Sequence, residues 1–267
     1  SGPRHLVLNA AQDQLYVLTE FSGELLRYRR DRHYGTLTAV DAVSAVDPSK
    51  NLGHSELGAD PLQHHYIWGA DLHFSDPAHL WCSERTESTL GAVAVAPDGS
   101  LTPPSHFVVT EPQPRGFAVS PDGEMIAYWV ATGNGWCQLA LTAVRNGARR
   151  YVGDPVKAGP AMHLAWPSQY TLVALMQDGE DCTAVAINTA TGARRPMVQV
   201  RGGQWVRLRQ WLGWDPVAVW AGNEKRCFRL SLTGRPEEVS PDFDDERPSP
   251  DSALYCFFDA DASLWLG

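Results

Sequence analysis

Residues 114–150 read PRGFAVSPDGEMIAYWVATGNGWCQLALTAVRNGARR and contain one full repeat of the chain. The segments GFAVS and MIAYWVA are apolar and rich in β-branched and aromatic residues, and the turn sequence SPDG separates them. A second turn, TGNG, leads into WCQLALT, whose side chains alternate between two faces, and Asn146-Gly147 then returns the chain to an edge strand. Three to four antiparallel strands in about 45 residues is the size of one propeller blade.

The same unit recurs along the chain. Cys137, Cys182 and Cys227 lie 45 residues apart, and each opens an alternating run after a polar turn. Innermost strands are expected to begin near His5, Ala70, Gly116, Met162, Trp205 and Ala253. The sequence predicts an all-β fold, a single β-propeller domain over residues 1–267 with five full four-stranded antiparallel blades and a partial sixth. Equal positions in equal repeats favour buried thiols over a metal or redox role for the cysteines.

Two regions depart from the repeat. Residues 41–66 interrupt the first two blades with so many turn residues that an irregular insertion is predicted, and a loop of this length is usually functional or mobile. It carries His54, His64 and His65, for which surface positions are favoured over a metal site, because an adjacent pair points to opposite sides of an extended chain. The last residues supply only two strands of a sixth blade, so we expect self-association through this incomplete blade.

Composition excludes several classes of function. A net charge of −9 without a basic stripe argues against nucleic-acid binding, and no apolar run of 18 residues predicts a membrane span. No signal peptide is recognised, and five cysteines spaced by repeat rather than in pairs favour reduced thiols in a cytoplasmic protein. No GxSxG, HExxH, Walker or GxGxxG motif is present in its required context, so neither a cofactor nor a metal is expected.

Motifs in the first 130 residues resemble those of the seven-bladed lactonase family, of the 6-phosphogluconolactonase and carboxy-muconate cyclase type. Gly2-Pro3-Arg4-His5 followed by LYVLTE is similar to the family's GPRH…YxxNE blade. The segments WGADLHFSDP (68–77), LWCSERT (80–86) and TEPQPRGF (110–117) are similar to its WAADIHxxPDG, LYACDRT and TETQPRGF. Residues 1–150 therefore look like lactonase blades, whereas residues 151–267 resemble TolB-like propeller repeats through their TGARR and TGRP strand ends.

The resemblance implies a charged active site. Arg4, Glu20 and Arg85 correspond to the family's charged active-site residues, with His5 beside them. Two arginines can hold a phosphate or carboxylate through forked hydrogen bonds, and a carboxylate between them can act as a general base. The alternative is that these residues form ordinary surface ion pairs, Arg4 with Glu20 and Arg85 with Glu84.

Other candidate residues are suggested by their positions. His73 lies on the same side of its strand as Asp71, and the two residues can form a buried pair that stabilises a turn. We also include His73, together with His5, among the substrate-binding candidates. Arg115 repeats the position of Arg4 in a later blade and is a third such candidate, and Glu111 is an alternative carboxylate.

These residues predict a lactone hydrolase of the 6-phosphogluconolactonase type acting on a small anionic sugar lactone. In this interpretation Glu20 activates or orients water, while Arg4 and Arg85 bind the anion and stabilise the oxyanion. A non-catalytic propeller that binds a protein or peptide is the alternative, with residues 41–66 as a contact loop and exposed tryptophans as its signature. The candidates for that role are Trp205, Trp211, Trp214 and Trp220. A fragment or hybrid without activity is the third possibility.

Overall fold

The computed structural model describes residues 2–112, 116–159, 163–179, 181–201, 207–211, 218–222, 227–239, 256–258 and 264–266. These residues form antiparallel sheets in a propeller arrangement, in which the first strands of successive sheets contact one another.

The first two sheets contain the candidate site. The first sheet has the order β1-β2-β3-β4, with strands at Pro3–Leu8, Gln14–Thr19, Glu24–Arg30 and Leu37–Ser44. The second sheet consists of β5 to β9, at Gly69–Asp76, His79–Glu84, Thr89–Val95, Leu101–Thr102 and Phe107–Val109.

The remaining sheets repeat the order of the first. The third comprises β10 to β13, at Phe117–Val119, Met125–Gly133, Trp136–Ala143 and Arg149–Lys157. The fourth comprises β14 to β17, at Leu164–Ser168, Thr171–Asp178, Asp181–Asn188 and Arg194–Val200. The fifth comprises β18 to β21, at Arg207–Trp211, Ala218–Gly222, Cys227–Leu230 and Glu237–Val239. Strands β22 and β23, at Cys256–Phe258 and Leu264–Leu266, form a separate pair.

The all-β propeller prediction is confirmed, but the predicted set of five four-stranded blades plus a partial sixth is wrong. Within the described residues four sheets have four strands each, and the second sheet has five. Its outer strand is split, because β8 pairs with one end of β7 and β9 with the other. Pro103 and Pro104 lie between the two segments and have no N–H to donate to the ladder.

The hydrophobic core consists of layers between neighbouring sheets. Adjacent residues of a strand point to opposite faces, so Leu172 and Ala174 pack toward the third sheet while Val173 and Leu175 pack toward the fifth. The fourth blade is therefore buried on both faces, which explains why its middle strands are nearly continuous apolar runs. In the second sheet Leu80 and Cys82 face the first blade, whereas Trp81 between them faces the third.

Cys137 and Cys182 lie at equivalent positions in the third strands of their sheets, as the repeat predicted. Cys82, Cys137 and Cys182 are buried and unbridged, and burial raises the pKa of each thiol. The side chain of Cys227 lies outside the described part of the chain.

The insertion contains two short helical turns, contrary to the prediction of irregular structure. Pro48–Lys50 is a 3-10 helix and α1 spans Pro61–His64. Each helix begins at an Asp-Pro pair. The aspartate, Asp47 or Asp60, caps the helix by accepting hydrogen bonds from its first backbone N–H groups, and the proline occupies the first helical position.

The insertion is fixed to the first two blades rather than being an isolated loop. The N–H of Ser55 donates to the carbonyl of Phe21 at 2.9 Å. His65 bonds to the carbonyl of Lys50 at 3.0 Å, and Lys50 lies 3.3 Å from the carboxylate of Glu87. The insertion thereby brings Trp68 to the beginning of β5.

One prediction falls on residues outside the described part of the chain. Self-association through an incomplete last blade was predicted for a part of the chain that includes residues 240–255 and 259–263, which the structure does not describe, so it stays a prediction. In the part of the chain that is described, no helix is long and apolar enough to span a bilayer.

Candidate active site

Strand β1 contains a β-bulge that determines where its polar side chains lie. Pro3 pairs with Thr19 and His5 pairs with Leu18, so Arg4 is the extra residue on its strand. A bulge bends the strand locally and redirects the neighbouring side chains. Here the two consecutive side chains have different partners. Arg4 contacts Glu20 of the same blade, and His5 contacts Asp71 of the next blade.

Strand β5 has an equivalent bulge in the second blade. Gly69 pairs with Glu84 and Leu72 with Cys82, so two residues of β5 lie opposite one residue of β6. The N–H of Asp71, which the bulge removes from the ladder, donates instead to the hydroxyl of Ser83 at 2.9 Å. The N–H of Asp71 therefore remains hydrogen-bonded despite the bulge.

Trp68 links the carboxylate and one of the arginines predicted from the sequence. Its indole Nε1–H donates to Oε1 of Glu20 at 3.0 Å. The guanidinium carbon of Arg85 lies 3.4 Å from the centroid of the Trp68 ring. On the other side of the carboxylate, Nη1 of Arg4 lies 3.8 Å from Oε2 of Glu20. Arg4, Glu20 and Arg85 are thus brought together around one indole.

The two arginines differ in their environment. Arg85 is only 2% exposed, so its charge is almost completely desolvated against the Trp68 face, where a cation–π contact stabilises by about 2 kcal/mol. The Arg4 side chain is 40% exposed, and its long contact to Glu20 is that of a weak surface pair. Arg85 is therefore not the surface ion pair that the alternative interpretation proposed, whereas Arg4 is accessible to a solute.

Glu84 has a structural role beside this group. It is 3% exposed, and its Oε1 accepts hydrogen bonds from the backbone N–H groups of Trp68 and Thr86, both at 2.9 Å. Its Oε2 accepts from the N–H of Glu87, also at 2.9 Å. The carboxylate thus fixes both the turn that carries Arg85 and the backbone of Trp68.

A second charged cluster joins the two bulges. Oδ1 of Asp71 lies 2.5 Å from Nδ1 of His5, and Oδ2 lies 2.8 Å from Nε2 of His73. Burial raises the pKa of the Asp71 carboxyl, but the charges and hydrogen bonds of His73 and His5 outweigh burial and hold that pKa well below its usual range. Asp71 is therefore a carboxylate at neutral pH. The rings of Phe117 and His73 pack edge to face.

Comparison with known proteins identifies the family. Residues 1–134, just over half of the chain, match the family described as Lactonase, 7-bladed beta-propeller. The chain belongs to this lactonase family. The match ends before the second half of the chain, so the resemblance of residues 151–267 to TolB-like repeats stays a prediction.

Relatives of this lactonase-family chain include proteins named 6-phosphogluconolactonase. The one from Photorhabdus laumondii is 31% identical over 169 residues, which cover 60% of this chain and 44% of that protein. The one from Xenorhabdus nematophila is 30% identical over 128 residues, which cover 47% of this chain and 34% of that protein. The matched segment thus spans less than half the length of either relative.

Similar solved structures support the fold of this chain and nothing beyond the fold. A protein from Lactobacillus plantarum superposes with a TM-score of 0.52 at 19% identity, over 89% of this chain and 70% of that one. Hydrazine synthase from Kuenenia stuttgartiensis also gives 0.52 at 14% identity, over 90% and 66% of the respective chains. Because structures that carry unrelated names superpose equally well on this chain, the fold does not indicate a function, and the function has to be argued from the site.

The remaining candidates lie elsewhere or outside the description. Arg115 lies among residues 113–115, which the structure does not describe. Glu111 is paired with Arg149 and accepts a hydrogen bond from the Tyr151 hydroxyl at 3.4 Å, so it contacts strand β13 of the third blade. The side chains of the tryptophans in the fifth blade are also outside the described part of the chain.

Sequence reasoning did not assign Trp68 and Asp71 to the site. Both lie in the segment 68–77 that carries the family resemblance, so the signal was available. Trp68 was not singled out because tryptophans are most often core residues, and Asp71 was interpreted only as the partner of His73. Only the three-dimensional contacts show that each residue joins side chains from two blades.

Proposed function

We propose that this site is the active site of a lactone hydrolase of the 6-phosphogluconolactonase type, which opens an anionic sugar lactone with water. The observation that carries the proposal is Glu20 itself, held by the Trp68 indole between Arg4 and the buried Arg85. Membership of the lactonase family and the names of the relatives support the same reaction class.

The chemistry follows from this arrangement. Glu20 takes a proton from water while the water oxygen forms a bond to the lactone carbonyl carbon, and the carbonyl oxygen becomes an oxyanion. The positive charges of Arg4 and Arg85 stabilise this oxyanion and the anionic substituent of the substrate. The intermediate then breaks the bond between the carbonyl carbon and the ring oxygen, which takes up the proton, so that lactone and water give one hydroxy acid.

Substrate binding is assigned to the accessible side chains. Arg4, His5 and His73 expose 40%, 39% and 37% of their side chains; Arg4 contacts Glu20, and both histidines contact Asp71. Arg85 lies against the Trp68 face and acts mainly through its charge, and Arg115 is retained as a further substrate-binding candidate. Buried unbridged cysteines are in keeping with a cytoplasmic, reducing compartment, which is part of the proposal.

The test is hydrolysis of 6-phosphogluconolactone followed by pH-stat, with the spontaneous rate subtracted. Glu20→Gln retains the shape of the residue and removes the base, so kcat is expected to fall about 10²- to 10⁴-fold. Glu124→Gln, the same change at an exposed residue of the third blade, is the matched control and is expected to retain full activity. Equal rates for Glu20→Gln and wild type, with both folded by circular dichroism, would contradict the assignment of Glu20.

A further inference from the structure

Asp71 is the only residue that bonds both histidines of the site, as far as the described residues show. Its side chain is 10% exposed, yet each carboxylate oxygen contacts an imidazole that is more than one third exposed. The two histidines come from different blades, His5 from β1 and His73 from β5. One buried carboxylate therefore sets the orientation of two accessible rings.

The chemistry of the contacts fixes the tautomers. An ionised carboxylate only accepts hydrogen bonds, so the nitrogen of each ring that faces Asp71 must donate. The neutral form of His5 then carries its proton on Nδ1, and the neutral form of His73 carries it on Nε2. The other nitrogens, Nε2 of His5 and Nδ1 of His73, are acceptors, and no described residue bonds to either.

We propose that Asp71 is a positioning residue that holds His5 and His73 in opposite tautomers, so that both rings present acceptor nitrogens to hydroxyl groups of a polyhydroxylated substrate. This inference rests on the proposed function and specifies its substrate class, since acceptors select hydroxyl donors. A site built to bond substrate hydroxyls rejects an analogue that lacks them, because its own polar groups are left unpaired. The site is therefore selective for sugar lactones over unsubstituted lactones.

A second Asp–His pair on the same hairpin provides the control. Asp76 and His79 lie at the opposite end of β5, where Nδ1 of His79 is 2.9 Å from Oδ2 of Asp76. This pair is local to one turn and more exposed, at 32% and 53% of the side chains. Asp76→Asn therefore makes the same chemical change as Asp71→Asn, away from the site and with a single histidine.

The first arm of the experiment measures tautomers by long-range ¹H–¹⁵N correlation of the imidazoles at pH 8. Wild type is expected to show His5 protonated at Nδ1 and His73 at Nε2. Asparagine offers an oxygen to one ring and an amide N–H to the other, so in Asp71→Asn one histidine must change tautomer. Asp76→Asn leaves both unchanged. Identical tautomers in wild type and Asp71→Asn would overturn the inference, whatever the enzymatic activity.

The second arm measures recognition with D-gluconate and hexanoate, two six-carbon carboxylates that differ in their hydroxyl groups. Gluconate is expected to shift the nitrogen resonances of Nε2 of His5 and Nδ1 of His73 in wild type, with at least tenfold weaker binding by Asp71→Asn. Hexanoate shifts neither. Equal effects of both ligands on these nitrogens would contradict recognition of hydroxyl groups.

A further variant keeps the test valid if Asp71→Asn does not fold. His5→Phe removes one imidazole and leaves Asp71 to bond Nε2 of His73. His73 is therefore expected to keep its tautomer, and gluconate is expected still to shift the resonance of its Nδ1. Loss of that tautomer in folded His5→Phe would overturn the role of Asp71. Fixed tautomers and gluconate binding without lactone hydrolysis would refute the proposed reaction while supporting this inference.

Discussion

The first and second blades place different chemistry on the same local geometry. The N–H of Glu20 donates to the carbonyl of Gly2 at 2.7 Å, and the N–H of Arg85 donates to the carbonyl of Trp68 at 3.0 Å. In both blades these residues immediately follow the second strand, and the first strand is bulged one or two residues from its start. Glu20 and Arg85 are therefore equivalent residues with opposite charges.

The equivalence extends to the neighbouring residues. His5 in the first blade corresponds to Asp71 in the second, because each lies just before an equivalent strand pair, Leu6 with Val17 or Leu72 with Cys82. These equivalent residues contact each other across the blades at 2.5 Å. The repeat therefore places residues at equivalent positions in both blades, and the site arises because those positions carry opposite charges, Glu20 in one blade and Arg85 in the other.

Substitution of the last residue of the second strand is expected to have the largest effect on stability. Thr19 and Glu84 both anchor the following turn, but Thr19 accepts one backbone N–H, from Glu24 at 2.9 Å, whereas Glu84 accepts three. We expect Glu84→Gln to lower the free energy of unfolding by about 2–3 kcal/mol and Thr19→Val by about 1–2 kcal/mol. Urea denaturation measures both, and equal losses would show that the two anchors do not differ.

The pH dependence of Asp71 provides a second, smaller effect. Because its pKa is lower in the folded chain than in the unfolded chain, its stabilisation is present above the unfolded pKa, about 3.9, and is lost as pH falls through the folded pKa. The difference in unfolding free energy between wild type and Asp71→Asn is expected to be about 1 kcal/mol smaller at pH 3 than at pH 4.5. Unfolded histidines are protonated throughout this window.

Urea titrations at the two pH values make this measurement, and Asp76→Asn, at a more exposed Asp–His pair, is the control. A difference that stays constant, or that grows as pH falls to 3, would contradict a carboxylate held ionised by two imidazoles.

Replacing Trp68 by phenylalanine is expected to have the smallest effect. Trp68→Phe retains an aromatic face for Arg85 and removes the hydrogen bond to Glu20. We expect kcat/KM to fall about tenfold, which corresponds to about 1.4 kcal/mol, with little loss of stability. Trp68→Leu, which also removes the aromatic face, is expected to lose stability as well, and equal stability of the two variants would remove the argument for the cation–π contact.

Much of the fold was predictable because it depends on local patterns. The segments GFAVS, MIAYWVA and WCQLALT were predicted as strands and form β10, β11 and β12, since polar turns bound each of these apolar runs. The split strand in the second sheet was missed because Pro103 and Pro104 interrupt it without a change in hydrophobic pattern. The short helices of the insertion were missed because turn residues alone do not distinguish a capped helical turn from a loop.

The site was only partly predictable for a different reason. Glu20 and Arg85 are recognisable as residue types in matching motifs, but their contacts pass through Trp68, whose position depends on how the insertion folds. Bulges are also invisible in the sequence, since one extra residue changes the strand register without changing composition. The contact between His5 and Asp71 depends on two such bulges.

A double-mutant cycle between Glu20 and Arg85 tests the central claim that two blades form one catalytic unit. kcat/KM for 6-phosphogluconolactone is measured for wild type, Glu20→Gln, Arg85→Lys and the double variant, with folding verified for each. If the two residues act together through Trp68, the double variant is expected to be no more than about threefold worse than the weaker single variant. Losses that multiply, so that the two free-energy changes simply add, would contradict a shared site.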